Sequence, residues 1–319
     1  MNTNGTRDGT NEIRPIPTGE IPEVPIFLKS CADFPAPPHL VILDLDSRTR
    51  KKQGLTEANR HHLWNTRRGV RDQFMPILMP VYDRPNYLQR VLDGLTKVDG
   101  INETVVIVSQ DGAQSSVTSV LLSMSPHIRM LILPHTPPYF SLPRYVDNNE
   151  YATSANVKFL LEFAFEYMLA DGAIVLESDL IPSVDFYRYH QWTYQNLLAV
   201  NNSKILSVHS FNIHSTNSSD PYTLFSRGFD SWGWSTARTR WLWLKTQWTK
   251  YNSWDSIVSR TAKRDGWLCM LPKLSRTRMI GLKGINVNVR KESEKRQFEE
   301  KMYMSDKRIE YNGKRPIIV

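Results

Sequence analysis

Residues Ala173 to Leu180 read A-I-V-L-E-S-D-L, an apolar run with β-branched Ile174 and Val175 that passes straight into Glu177, Ser178 and Asp179. Such a run suits a strand buried on both faces and ending at a polar edge. In an open α/β sheet, ligands bind beyond the carboxyl ends of the strands, so acids leaving this strand enter the expected crevice. Hard oxygen donors there suit Mg²⁺ or Mn²⁺ carrying substrate phosphates. An acidic turn after a strand is the plainer reading of this segment in isolation, so the remainder of the chain has to decide.

The surrounding pattern supports a sheet of that kind. Strand-like runs occur at Met75–Val81, Thr104–Val108, Met130–Leu133 and Ile205–Val208. Between them, apolar residues recur at helical spacing: Leu88, Val91, Leu92 and Leu95, then Val157, Leu160, Leu161, Ala164, Phe165 and Met168. Asp83 or Asn86 is placed to cap the first helix and Gly100 to terminate it. Alternation of this type predicts an α/β fold, a mostly parallel sheet flanked by helices with right-handed crossovers. Polar residues follow the early strands: Arg84 sits near a helix N-terminus, a place suited to anions, and Ser109-Gln110-Asp111-Gly112 follows the second strand. Neither a G-x-G-x-x-G nor a Walker loop is present, which argues against dinucleotide and P-loop classes.

Four segments are expected. Residues 1–38, rich in proline, read as a linker or stem; 39–74 hold a strand-like run and a charged segment; 75–298 form the α/β domain; and 299–319 are a basic tail. The run His39–Leu45 ends in Asp44-Leu45-Asp46, which also fits the nucleophile and acid of haloacid-dehalogenase-type phosphohydrolases, although Ser47-Arg48 departs from that pattern. His61-His62 lacks the i, i+4 spacing of a helical metal pair.

Across 319 residues, 40 Lys plus Arg stand against 32 Asp plus Glu, a net +8. The excess is spread out, so no nucleic-acid partner is implied. With Cys31 and Cys269 as the only cysteines, one disulfide or none can form and a cysteine metal site is excluded. Sequons at Asn4, Asn102, Asn201 and Asn217 suit the secretory pathway. No run reaches the ~20 apolar residues of a membrane span, so a membrane is expected only through an N-terminal anchor absent from this chain. From Phe225 to Trp267 the chain is dense in aromatics, mostly core by their size, though flat rings beside carboxylates also stack on sugars.

Taken together, several separated blocks resemble one family. Asp83-Arg84-Pro85-Asn86-Tyr87-Leu88, Val108-Ser109-Gln110-Asp111, Val175 to Leu180, Trp232-Gly233-Trp234, Trp254-Asp255, and Cys269 through Pro272 to Ser275-Arg276-Thr277 with Gly281 to Asn286 stand in the order and spacing of the β-1,2-N-acetylglucosaminyltransferases of glycosyltransferase family 13. The likeness covers roughly Met75 to Phe298. It implies a GT-A type, Rossmann-like nucleotide-sugar fold, UDP-GlcNAc as donor, a mannose-terminated glycoprotein as acceptor, Mn²⁺ as cofactor, inversion at the anomeric carbon and a Golgi-lumenal location. Carried across by position, Asp179 matches the metal-binding acid, with Glu177 and Ser178 beside the donor. Asp111 would hold the uracil, Arg84 the phosphates, and Trp232 the donor sugar, while Ile285 and Asn286 fall in the loop that closes over it. Asp255 matches the catalytic base.

Ser178 and Ser256 stand where the family carries further acids, and the family's W-N-D stretch is Phe211-Asn212-Ile213 here. These departures support the alternative of a divergent homologue that binds a nucleotide sugar or glycan without transferring it. Both the N-glycan and O-mannose acceptor classes stay open.

Overall fold

The computed structural model describes residues 75–112, 114–135, 148–201, 203–248, 253–283 and 289–319, together with the backbone of 40–42. Asp44, Asp46, His61, His62, Cys31, Ile285 and Asn286 lie outside the described residues.

In chain order the elements are β1 (Leu40–Ile42), β2 (Ile77–Val81), α1 (Pro85–Leu95), β3 (Val106–Asp111), α2 (Ser115–Met124), β4 (Met130–His135), α3 (Asn148–Glu162), β5 (Gly172–Val175), β6 (Leu180–Pro182) and α4 (Phe186–Thr193). Then follow β7 (Ile205–His209), β8 (Thr223–Arg227), β9 (Trp234–Ala237), α5 (Arg238–Gln247), α6 (Trp254–Arg264), β10 (Leu268–Pro272), β11 (Thr277–Met279), α7 (Glu292–Glu300) and β12 (Ile317–Ile318). The main sheet runs β1-β4-β3-β2-β5-β9-β7-β10-β8-β12, and β6 and β11 form a separate two-stranded ribbon. From β1 to β5 all neighbours are parallel, as strand–helix alternation predicts. Antiparallel β9 then separates β5 from β7, and antiparallel β8 borders β10. The fold is thus α/β with a mostly parallel sheet.

Period-two alternation buries both faces. Ile77, Met79, Val106, Val108 and Ile174 pack with Leu88, Val91 and Leu92 of α1 and Leu121 of α2. Leu78, Ile107, Ala173 and Val175 face the other side, against Leu160 of α3, Trp241 of α5 and Trp254 and Val258 of α6. Each such aliphatic side chain contributes about 1.5–3 kcal/mol by leaving water.

Helix α1 starts differently from the expectation. Arg84 occupies the N-cap and no side chain caps it; Pro85 at the first helical position, its φ preset and its N–H absent, starts the helix instead. Thr96 caps the other end, and Gly100 lies beyond it at φ 87°, opening a short 3₁₀ turn. Ahead of β5 the left-handed residue is Leu169 (φ 59°), while Gly172 begins β5 with Tyr194 so close that a Cβ would lie 2.8 Å from its ring.

A buried ion pair braces the ribbon. Arg276, fully buried just before β11, lies 3.3 Å from Asp185 and donates to the carbonyls of Leu274 and Pro221, with Tyr189 beneath its guanidinium at 4.4 Å. Tyr311 donates to Asp185 at 2.5 Å and accepts from Arg276 at 3.0 Å. Residues expected as a basic tail are therefore tied to the fold: the Trp192 indole N–H donates to the Lys314 carbonyl, Arg308 pairs with Asp99, and β12 joins β8. No helix among the described residues is long and apolar enough to cross a membrane.

His190 and His209 are fully buried, each with one ring nitrogen near a serine hydroxyl at 2.9 Å (Ser235 and Ser207); among the described residues the other nitrogen of His190 has no partner, while the His209 ring also meets the Asp230 backbone. Burial pushes His209 down to about 3 and holds His190 well below its usual range. Between roughly pH 6.5 and 3 the unfolded chain takes up protons that the folded chain refuses, so stability is complete above that window and falls with pH inside it. The slope is at most about 1.4 kcal/mol per pH unit for each such group. Glu177, held protonated in the fold, acts in the opposite sense over part of this window, so the test is a difference: His209→Gln should make the urea midpoint at pH 5.0 higher relative to that at pH 7.5 than it is in the unmodified chain, and an unchanged difference would place the acid lability elsewhere.

Candidate functional site

Strand β5 delivers its acids where the main sheet ends. The Leu176 N–H donates to the Leu78 carbonyl, which prolongs the pairing with β2, and the Leu180 N–H then closes on the Glu177 carbonyl at 3.2 Å. Glu177, Ser178 and Asp179 thus form a tight turn between β5 and β6. The Ile280 N–H holds the Asp179 carbonyl at 2.9 Å, fastening this turn to the chain leaving β11.

The Asp179 side chain is buried, and its Oδ2 accepts from Arg84 at 2.8 Å. Arg84 heads α1 and lies 5.8 Å from the centre of the Tyr87 ring, whose hydroxyl takes the Leu282 N–H. One ion pair therefore joins the β2–α1 loop, the β5–β6 turn and the segment after β11. Gly281 makes the close approach feasible, since a Cβ there would stand 2.5 Å from Asp179 Oδ2.

Glu177 keeps some exposed surface, but packed atoms around its carboxyl push its pKa up to about 8. Burial contributes most; Asp179, Asp255 and Asp230 add to it and Arg84 opposes it. Three aspartates from three separate segments hence act on Glu177, and the one direct contact in the group is that of Arg84 with Asp179.

Asp255 stands in the first turn of α6, behind Ser253 at the N-cap. It is the acid of that turn and accepts from the Ser256 N–H at 2.8 Å, while the Ser256 hydroxyl bonds to Ser253 at 2.8 Å. Trp254, next to it, stacks on Trp234 (5.8 Å, 18°) and fixes the helix start against the sheet. Asp111 is buried at the end of β3, one strand beyond β2. Ser178 is buried inside the turn.

Trp232 is half-buried, edge-on to Phe211 at 4.5 Å. It lines a cavity of about 320 Å³ together with Phe211, Phe229, Asp230 and Leu271. Gly233 follows at φ 79°, turning the chain into β9. Asp230, Gly281 and Tyr87 had no assigned role in the sequence. Tyr87 and Gly281 lie inside the resembling blocks, whereas Asp230 carries no local signal at all.

A metal-binding cage is not present: among the described residues no group of three His, Cys, Asp or Glu side chains is placed to hold an ion. The donor set does fit an ion that arrives with a diphosphate. Mg²⁺-like ions are commonly held by one or two carboxylates, with substrate phosphates and water completing the shell, and the crowded acids here are short of positive charge. Asp179 is the carboxylate that would hold it.

The sequence model of the GNT-I family matches residues 39–314, a wider span than the resembling blocks. Among solved structures, TarS 1-349 from S. aureus in complex with UDP superposes with a TM-score of 0.44 at 11% identity, over 64% of this chain and 60% of that one. The mannosyltransferase PcManGT from Pyrobaculum calidifontis, in complex with GDP-Man and Mn²⁺, gives 0.42 at 12% identity over 67% and 60%. Mouse xyloside xylosyltransferase 1 gives 0.38 at 11% over 62% and 84%. This chain thus spans about three fifths of the first two.

The contact at Gly281 has a measurable consequence. Gly281→Ala must displace Asp179 or Arg84 and should cost roughly 1–3 kcal/mol in chemical denaturation. Gly228→Ala, where nothing lies within 4 Å of the added methyl, should cost close to nothing. Equal effects at the two positions would refute the close packing of Asp179.

Proposed function

Because the chain belongs to the GNT-I family, we propose that it is a metal-assisted, inverting β-1,2-N-acetylglucosaminyltransferase that moves GlcNAc from UDP-GlcNAc to a terminal mannose of a glycoprotein in the Golgi lumen. The observation that carries this reading is the Arg84–Asp179 pair at the carboxyl end of β5, 2.8 Å long, together with Asp255 at the head of the helix whose Trp254 stacks on Trp234 of β9, the strand paired to β5.

In an inverting transfer one carboxylate takes the proton of the acceptor hydroxyl as its oxygen attacks the anomeric carbon, and the diphosphate leaves from the opposite face with the bonding electrons. Asp255 is suited to the first task. It is half-buried, it is the acid of its helical turn, and its Ser256 contact fixes the orientation of the carboxylate. Arg84 is suited to the second, presenting a guanidinium at the head of α1 where the phosphates would arrive. A divalent ion such as Mn²⁺ on Asp179 would supply neutralisation of the charge that grows on the departing UDP. Asp111 would accept from the uracil N–H, Glu177 and Ser178 would contact the donor, and Trp232 would bound its sugar. Ile285 and Asn286 keep their proposed place in the closing loop.

A second reading is favoured by the serines. Ser178 and Ser256 remove two acids that the resemblance leads one to expect, and the Ser256 hydroxyl is engaged by Ser253. A homologue that binds the donor without transfer fits those substitutions.

Asp255→Asn should lower the rate of UDP release with a mannoside acceptor by about 10²–10⁴-fold, leaving calorimetric affinity for UDP-GlcNAc in the presence of Mn²⁺ unchanged. Retention of transfer within a few-fold would remove Asp255 as the base. Donor binding by the unmodified protein with no UDP release at all would favour the binding module.

A further inference from the structure

The cavity beside Trp232 has features that the donor roles above leave unused. Its apolar wall is made of Phe211, Phe229, Trp232 and Leu271, and its polar groups are Asp230 and Arg227. Phe229 ties this wall to the candidate base: its ring meets Trp254, the neighbour of Asp255, edge-on at 5.8 Å, and also Trp234 at 5.1 Å and His209 at 5.0 Å. Asp230 accepts the Trp232 N–H at 3.2 Å and also the Ser231 N–H, which uses two of the roughly four acceptor sites of a carboxylate. Burial raises its pKa, while the Trp232 N–H and the Arg227 charge oppose that rise.

Position in the sheet separates this cavity from the nucleotide side. Arg84 and Asp111 leave β2 and β3, which lie on one side of β5; the cavity is built on β7, β10 and β8, which lie on the other side, past β9. The crowded acids stand between, and Asp230 lies close enough to act on Glu177. A volume of about 320 Å³ is at the small end of ligand pockets, which run from about 300 to 1,000 Å³. Aromatic faces with a carboxylate acceptor suit a neutral pyranose. The Arg227 charge, offset by Asp230, leaves no excess for an anion.

We propose that this cavity is the subsite for the acceptor's sugar ring and that Asp230 selects its occupant by accepting a hydroxyl hydrogen bond. The proposal rests on the transferase reading and adds to it a specificity-determining residue outside the resembling blocks. A half-buried carboxylate left without its hydroxyl partner disfavours a ring that lacks the group, so discrimination arises from one side chain.

The test titrates methyl α-mannoside, followed by ligand-observed NMR, into protein loaded with UDP and Mn²⁺, using the unmodified chain, Asp230→Asn and Ile213→Trp. Ile213 lines the same cavity and is 37% exposed, so a tryptophan there fills the space without entering the core. Asp230→Asn should weaken mannoside binding about tenfold, the scale of one charge-assisted hydrogen bond, and Ile213→Trp should abolish it. Ile213→Trp should keep the UDP affinity of the unmodified chain, and both variants should keep its thermal melting profile by circular dichroism, which reports that they are folded. Unaltered mannoside binding in both variants overturns the proposal. A loss of UDP-GlcNAc affinity with mannoside binding intact also overturns it, as does an unmodified chain that binds no mannoside. Mannoside binding by an unmodified chain that shows no transfer supports the subsite and removes the transferase reading alone.

Discussion

Carboxylates oppose one another's ionisation, and at the carboxyl end of β5 this protein sets a buried acid, Asp179, beside a half-buried one, Glu177. Burial first, and then Asp179, Asp255 and Asp230, push Glu177 up to about 8, with Arg84 as the cation that acts against the trend. An arrangement of this kind is costly without a use, because removing charge from water is not repaid by like charges nearby. Arg84 therefore matters beyond its own contact. Its pairing with Asp179 keeps the turn closed, positions the head of α1 and, through Tyr87 and Leu282, locates the segment after β11. A ligand that brings a cation or hydrogen-bond donors would relieve the remaining repulsion.

The ribbon of β6 and β11 supports this turn from outside the main sheet. Its anchor is Arg276, which is buried and satisfied by Asp185, Tyr311 and two carbonyls. Buried ion pairs of this type contribute less to net stability than to specificity, since losing either partner leaves an uncompensated charge. The C-terminal segment enters the same network through Tyr311. Residues more than a hundred positions apart, Asp185 and Tyr311, thereby fix the frame on which Asp179 stands.

Most tryptophans in the aromatic-dense segment serve the core. Trp234, Trp241 and Trp254 are buried, with Trp254 stacked on Trp234, and their rings hold α5 and α6 against the sheet. Trp232 differs by two positions in sequence and entirely in setting, at the wall of a cavity. The left-handed Gly233 separates the two rings, turning one outward to the site and the other inward to the core.

What local chemistry dictates was legible in the chain. The hydrophobic runs located β2, β3, β4, β5 and β7, and the helical spacing located α1 and α3, because backbone geometry imposes periods of two and 3.6 on any buried face. The turn carrying Glu177 and Asp179 was legible for the same reason. The second half of the sheet was not: β8, β9, β10 and β11 are short strands whose pairings are antiparallel or follow long connections, so no window of sequence shows their order. Nor was the Arg84–Asp179 pair, across 95 positions, or the nearness of Asp230 to Glu177. Those facts depend on how distant segments stack, on a glycine with no side chain at 281 and on which face a strand presents. The chain alone determined the elements and the residue types at their ends; tertiary packing decided which of those ends face one another, because an electrostatic site is a matter of distance in space and not of separation along the backbone.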